Sequence, residues 1–268
     1  MDRNRKISIM GIVNLTDDSY FADSRCTDVQ AAMDRIAALV DEGADIIDIG
    51  ACSTRPGSLP VGAEEEWRRL EPVLKVFREN FQNVTLSIDT YWASVVEKAF
   101  ALVGPFIVND ISAGEADPGM LPTVGRLGLK YVAMHMRGMP ENMQSLTDYN
   151  DVVEDVLEYF RNFSEKAGIH GINDWILDPG FGFAKTLEQN YDLLNRLNEI
   201  KAGMCPRKVL VGVSRKSMIY RLLGTTPEES LPATQALHMA ALERGADILR
   251  VHDVAEAVHT VVLFKMLS

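Results

Sequence analysis

Cysteine is scarce, with Cys26, Cys52 and Cys205 the only three in 268 residues. So few thiols, odd in number and widely spaced, make neither a disulfide framework nor a CxxC metal site, and reduced thiols in a cytoplasmic setting are the expectation. No apolar run approaches the roughly 18 residues of a membrane span, and no secretory-type apolar segment opens the chain, so neither a span nor export is expected. Basic charge is in deficit. Against 38 Asp and Glu stand 27 Lys and Arg, a formal net charge of −11, which argues against a nucleic-acid or anionic-membrane surface yet leaves room for a local cationic pocket. The five histidines show no H-x-x-x-H pair, so zinc is not expected. No G-x-G-x-x-G follows the first apolar run, which removes the dinucleotide fingerprint. No Ser-His-Asp or Cys-His nucleophile arrangement can be inferred, and Cys52 reads as a small packing residue.

What the chain does contain is a repeated sentence. Short, β-branched apolar runs end abruptly on polar side chains and hand over to helical spacing. The runs are residues 7–14, 45–50, 84–89, 106–110, 130–135, 175–178, 209–213 and 247–252. Helical patterns fill the gaps: 29–41, 64–80, 92–102, 119–127, 150–167 closed by Gly168, one after Lys185, one from Ser217, and 254–267. Near-continuous apolar strands alternating with helices predict a parallel sheet buried on both faces. Eight such units without a linker predict α/β architecture, a single (β/α)8 TIM barrel over residues 1–268, ahead of an open doubly wound sheet. With hydrophobic residues at 47%, a full core can be buried.

In a barrel the carboxyl ends of all strands open on one face. Asn14, Thr54, Arg55, Asp89, Asn109, His135, Asp178, Lys216, Arg250 and His252, scattered over the sequence, are therefore expected to line one pocket. Asp89, Asp178, Asn109 and Lys216 suit a flat heterocycle with donors on one edge and a carbonyl on the other, with Arg250 flat against its face. Two carboxylates also suit acid/base work on a sugar or a metal pair. Arg55, Arg215, His252 and Asn14 suit phosphate, Asn14 by offering a neutral oxygen to Mg2+.

Seven segments carry a further signal: Met10-Gly-Ile-Val-Asn14-Leu-Thr-Asp-Asp-Ser19, Asp48-Ile-Gly-Ala-Cys-Ser-Thr54-Arg55-Pro56-Gly57, Ser87-Ile-Asp89-Thr, Asn109-Asp-Ile-Ser, Asp178-Pro-Gly-Phe-Gly-Phe183, Gly212-Val-Ser-Arg-Lys216-Ser217 and Arg250-Val-His252-Asp253-Val. In this order they resemble the motif set of the dihydropteroate synthase family, over almost the whole chain. The resemblance implies a barrel enzyme of the folate pathway, a homodimer and sulfonamide target. Such an enzyme joins p-aminobenzoate to (7,8-dihydropterin-6-yl)methyl diphosphate and releases diphosphate with Mg2+. Carried onto matching positions, it places the pterin on Asp89, Asn109, Asp178 and Lys216, with Arg250 on its face, and the diphosphate on Asn14, Arg55, Arg250 and His252. Thr54, Arg55, Pro56, Phe183, Lys216 and Ser217 would surround p-aminobenzoate; Asp89, Asp178, Lys216 and Arg250 form the expected catalytic set. The chain departs from the family pattern at Thr16-Asp17-Asp18-Ser19-Tyr20, which lacks a proline, at Ser24-Arg25, which replaces two glycines after the later aspartate, at Cys52, where an acidic residue is common, and at Ala184, where glycine is frequent. A pterin-binding methyltransferase module shares the ring site but needs no diphosphate or amine site; a silent binding paralogue is the non-enzymatic rival.

Overall fold

The computed structural model describes residues 5–15, 25–52, 61–138 and 143–267. Eight parallel strands pair in sequence order and β8 closes on β1, so the sheet is a complete barrel. The strands are β1 Ser8–Asn14, β2 Ile46–Gly50, β3 Thr85–Asp89, β4 Ile107–Asp110, β5 Lys130–Met134, β6 Trp175–Asp178, β7 Lys208–Val211 and β8 Ile248–Val251. Around them run α1 Arg25–Asp41, α2 Ala63–Asn80, α3 Ala93–Val103, α4 Met120–Leu127, α5 Val152–Ile169, α6 Leu187–Asn195, α7 Leu197–Gly203, α8 Ser217–Leu223, α9 Leu231–Glu243 and α10 Val254–Leu267. The expected (β/α)8 architecture is therefore present. Among the described residues no helix is long and apolar enough to cross a membrane.

Successive strand residues point to opposite faces, and this divides the apolar residues into two cores. One set packs between strands and helices, including Ile47, Ile49, Leu86, Val108, Tyr131 and Leu249. The other fills the bore: Met10, Ile46, Ile107, Val132, Ile176, Leu210 and Ile248 form a separate buried cluster. Two residues further along the same strands, on the same inward face, stand Asp48, Asn109, Asp178 and Arg250. The barrel thus has an apolar floor and, one pleat above it, a polar tier.

Several boundaries differ from those expected. β5 and β7 stop at Met134 and Val211, so His135 and the stretch from Gly212 to Lys216 lie in the loops above the barrel. α5 runs through Gly168 to Ile169 and stops at a His170 cap, with Gly171 at φ 71° taking the left-handed position. The connections after β6 and β7 each hold two helices rather than one. α6 breaks from α7 at Arg196, whose guanidinium bonds Asp151, Asp192 and Glu199, and Gly224 ends α8 in the left-handed conformation.

Candidate active site

The polar tier is organised by Asp48, which is fully buried in the middle of β2. Its Oδ1 accepts from Ser87 Oγ at 2.6 Å, and its Oδ2 accepts from Asn109 Nδ2 at 3.0 Å and Arg250 Nε at 2.7 Å. Arg250 Nη2 reaches across to Asp89 Oδ2 at 2.7 Å. Strands β2, β3, β4 and β8 are therefore tied by one charged network through their inward side chains. Gly50 makes room for it: a Cβ there would come within 3.2 Å of the Asp89 Cβ. Burial works against the Arg250 charge, but Asp48 and Asp89 more than offset it and keep the guanidinium protonated. Burial pushes Asp89 upward, and the Arg250 charge pulls it back.

The opposite wall comes from the loops after β6 and β7. Asp178 ends β6 and accepts from Gly180 N at 2.8 Å; burial raises its pKa and Lys216 opposes the rise. Lys216 donates to the Phe181 carbonyl, and its Nζ lies 4.6 Å from the centre of the Phe183 ring. Burial lowers the Lys216 pKa to about 8 against the pull of Asp178. Asp178, Lys216, Arg250 and Asp89 influence one another's titration, so they share one electrostatic field. An apolar patch of Tyr91, Ile111, Met134, Met136, Met143 and Ala184, with Phe183 and Cys52 against it, borders them. Paired carboxylates, a carboxamide and a lysine beside such a patch can grip a flat ring by its polar edges while excluding water. At the opposite end of the barrel a cleft of about 480 Å³ is lined by Thr85, Lys130 and Asp174 among others; its charged pair Lys130–Asp174 is superficial.

Comparison with known proteins decides the family. The sequence profile described as Pterin binding enzyme matches residues 10–252. Dihydropteroate synthase of Escherichia coli (strain K12) is 41% identical over 253 residues, covering 93% of this chain and 88% of that protein. The folic acid synthesis protein fol1 of Pneumocystis carinii is 43% identical over 255 residues, 92% of this chain but 34% of its own length. The chain thus spans about a third of that longer relative. The Xanthomonas albilineans dihydropteroate synthase solved with 4-aminobenzoic acid superposes with a TM-score of 0.89 at 37% identity, covering 100% of this chain and 94% of the other.

The chain belongs to the dihydropteroate synthase family.

Members of this family are transferases of folate synthesis, and the positions of the residues named from the sequence can be read along the barrel. Asn14, Asp89 and Asp178 are the last residues of their strands, Asn109 lies within β4, Arg250 within β8, and His135, Phe183, Lys216 and His252 follow strand ends; Ser217 begins α8. Thr54, Arg55 and Pro56 lie outside the described residues, as does the altered stretch 16–20. Arg215 does not join a phosphate group. Its Nε and Nη2 grip Asp253 at 2.8 Å each, and Nη1 donates to the Pro227 and Glu228 carbonyls, so it clamps the β7–α8 connection instead. His252 is not a cation in this setting: burial, with Arg250 adding, lowers its pKa to about 4, and Nδ1 sits 3.1 Å from Ser214 Oγ. Arg250 also differs in emphasis, because two of its nitrogens are spent on carboxylates and its flat face is what remains for a ring.

Asp48, Ser87 and Lys185 had no role in the sequence reading. Asp48 carried a usable signal, a charge inside an otherwise apolar strand and two positions beyond Ile46 on the inward face. Lys185 marked only the start of a helical pattern in the sequence, and it is 4% exposed.

Proposed function

We propose that the pocket condenses p-aminobenzoate with (7,8-dihydropterin-6-yl)methyl diphosphate, giving 7,8-dihydropteroate and diphosphate. The observation that carries this reading is the charged tier above the apolar floor, with Asp48, Arg250, Asp89 and Asn109 on one side and Asp178 and Lys216 on the other. Asp178 accepts paired N–H donors from the guanidine-like edge of the pterin, Lys216 donates to the ring carbonyl, and the face of Arg250 packs on the ring. In the reaction the methylene C–O bond to diphosphate breaks and a C–N bond to the arylamine forms, and the amine's proton is lost to solvent. An aromatic amine is neutral at pH 7 and needs no strong base. The barrier lies in the departing diphosphate, so a largely dissociative substitution is favoured in which Asp89 and Asp178 support positive charge on the pterin. Thr54, Arg55, Pro56, Phe183, Lys216 and Ser217 supply the amine site, and Arg55, Arg250 and His252 the diphosphate site.

Asn14 fits a supporting role toward Mg2+. It ends β1 half-buried, with a neutral amide oxygen, and among the described residues no group of three or more His, Cys, Asp or Glu is placed to hold a metal. So sparse a donor set suits an ion that keeps waters and takes substrate phosphates as ligands. Bound there, Mg2+ would neutralise charge on the diphosphate.

A homodimer accords with the outer face of α10, where Val262, Leu263, Met266 and Leu267 are 55–77% exposed. A cytoplasmic setting accords with the sparse, odd cysteines. Incubation with both substrates and Mg2+ should yield dihydropteroate and one diphosphate per product; pterin binding without product would favour the silent paralogue. Leu263→Glu should shift the sedimenting species from dimer to monomer.

A further inference from the structure

Lys185 stands outside the groups that face the ring, and its surroundings are unusual for a lysine. Its Nζ makes three hydrogen bonds: 3.0 Å to His135 Nδ1, 3.1 Å to the Gly180 carbonyl and 3.1 Å to the Phe183 carbonyl. An ammonium has three N–H groups, enough for the two carbonyls and a bare Nδ1. Among the described residues no carboxylate bonds it directly; burial lowers its pKa to about 7, Asp178 opposing the fall and Lys216 and Arg137 adding to it.

The acceptors belong to a loop that needs holding. Gly180, Gly182 and Ala184 all have positive φ, at 72°, 81° and 48°. Ala184 takes up a left-handed conformation that costs an L-residue about 1–2 kcal/mol, at the position where the family often has glycine. Gly180 is seated so closely that a Cβ would fall 2.0 Å from the His135 carbonyl. From below, Asn190 accepts from Gly182 N at 2.6 Å. The carbonyls of this loop are shared between two lysines, those of Gly180 and Phe183 going to Lys185 and that of Phe181 to Lys216.

We propose that Lys185 is a positioning residue for the pterin pocket: its ammonium, seated on His135 and the two carbonyls, holds the β6–α6 loop in the form that receives Lys216 and adds a second buried cation beside Asp178. This rests on the reading of the pocket given above. It also assigns the His135 tautomer, because an ammonium only donates and Nδ1 must therefore be the bare nitrogen. The reverse arrangement, Nδ1–H donating to a neutral amine, would satisfy the same three contacts but remove the charge; below pH of about 7 Lys185 keeps its proton and the ammonium arrangement holds.

Two measurements test this. In the wild-type protein, nitrogen NMR at pH of about 6, below the Lys185 pKa of about 7, should show His135 Nδ1 without a proton, and no variant is needed for that observation. In Lys185→Met, pteroic acid binding measured by calorimetry should weaken about tenfold or more, and KM for the pterin substrate should rise more than kcat falls, as expected when a ring site is misplaced rather than a reacting group removed. Lys185→Arg should recover part of the affinity. A folded Lys185→Met that binds pteroic acid within about twofold of wild type, or a protonated Nδ1 in wild type, overturns the assignment. Wild-type protein that fails to bind pteroic acid would instead sink the functional reading on which it rests.

Discussion

Asp48→Asn and Asp48→Ala separate charge from hydrogen bonding in the polar tier. In the native arrangement Oδ1 takes only the Ser87 hydroxyl, while Oδ2 takes both Asn109 and Arg250. An asparagine can place its NH2 at the Oδ1 position, where Ser87 turns from donor to acceptor, and keep its oxygen on the other two donors. Every hydrogen bond survives and only the charge is lost, with Arg250 left to Asp89 alone. We expect Asp48→Asn to lose about 1–2 kcal/mol, the difference between a charge-assisted and an ordinary hydrogen bond. Asp48→Ala leaves the Arg250 Nε and the Asn109 amide without their acceptor while Arg250 keeps Asp89, and we expect about 3 kcal/mol, where the cost of an unsatisfied buried donor meets that of a broken buried pair. Urea unfolding at constant pH gives both numbers, and steady-state assay should show kcat/KM falling about tenfold in Asp48→Asn, where Arg250 keeps its place, and about 10²-fold in Asp48→Ala, where Arg250 is free to swing toward Asp89. Ser87→Ala should cost about 1 kcal/mol alone and less in the Asp48→Asn background. Equal losses for the two Asp48 variants would show that Ser87 cannot reverse, and a loss under about 1 kcal/mol for Asp48→Ala would refute the network as described.

Three further outcomes follow from the same coordinates. Glu66 of α2 is fully buried, and burial, opposed by Thr90 and helped by Asp89, raises its pKa to about 8. Because the folded form keeps its proton to a higher pH than the unfolded form, this group costs stability progressively as pH rises from about 4.5 toward 8; Glu66→Gln should match wild type near pH 4 and exceed it by roughly 2–3 kcal/mol at pH 7, which denaturation across that range will read. Lys216→Ala should lower turnover at least about 10²-fold, and wild-type affinity for pteroic acid should weaken above pH of about 8 as Lys216 loses its proton; a flat profile to pH 9 would contradict the role given to its charge. Arg215→Ala should lower stability by about 1 kcal/mol while leaving KM for the pterin diphosphate within about threefold, since its partners are Asp253 and two loop carbonyls.

The barrel was legible because each strand announces itself twice, by a short apolar run and by the polar residue that ends it. The convergence of Asp89, Asn109, Asp178, Lys216 and Arg250 follows from strand direction alone and needed no contact information. Contacts were what the sequence could not supply. Arg215 and Lys216 are neighbours in the chain and equally cationic, yet a left-handed φ of 54° at Arg215 turns one toward Asp253 while the other enters the pocket. His252 looked protonatable because its burial and its cationic neighbours are properties of the fold. Lys185 was overlooked because nothing in Phe-Ala-Lys-Thr says that the loop curls back over its own lysine. Asp48 shows the opposite case: counting inward positions along β2 from Ile46 identifies it from sequence.

The plug of Met10, Ile46, Ile107, Val132, Ile176, Leu210 and Ile248 closes the bore directly beneath the polar tier. The ion pairs above it rest on hydrocarbon, which cannot solvate them, so each charge there has to be answered by a neighbour in its own layer.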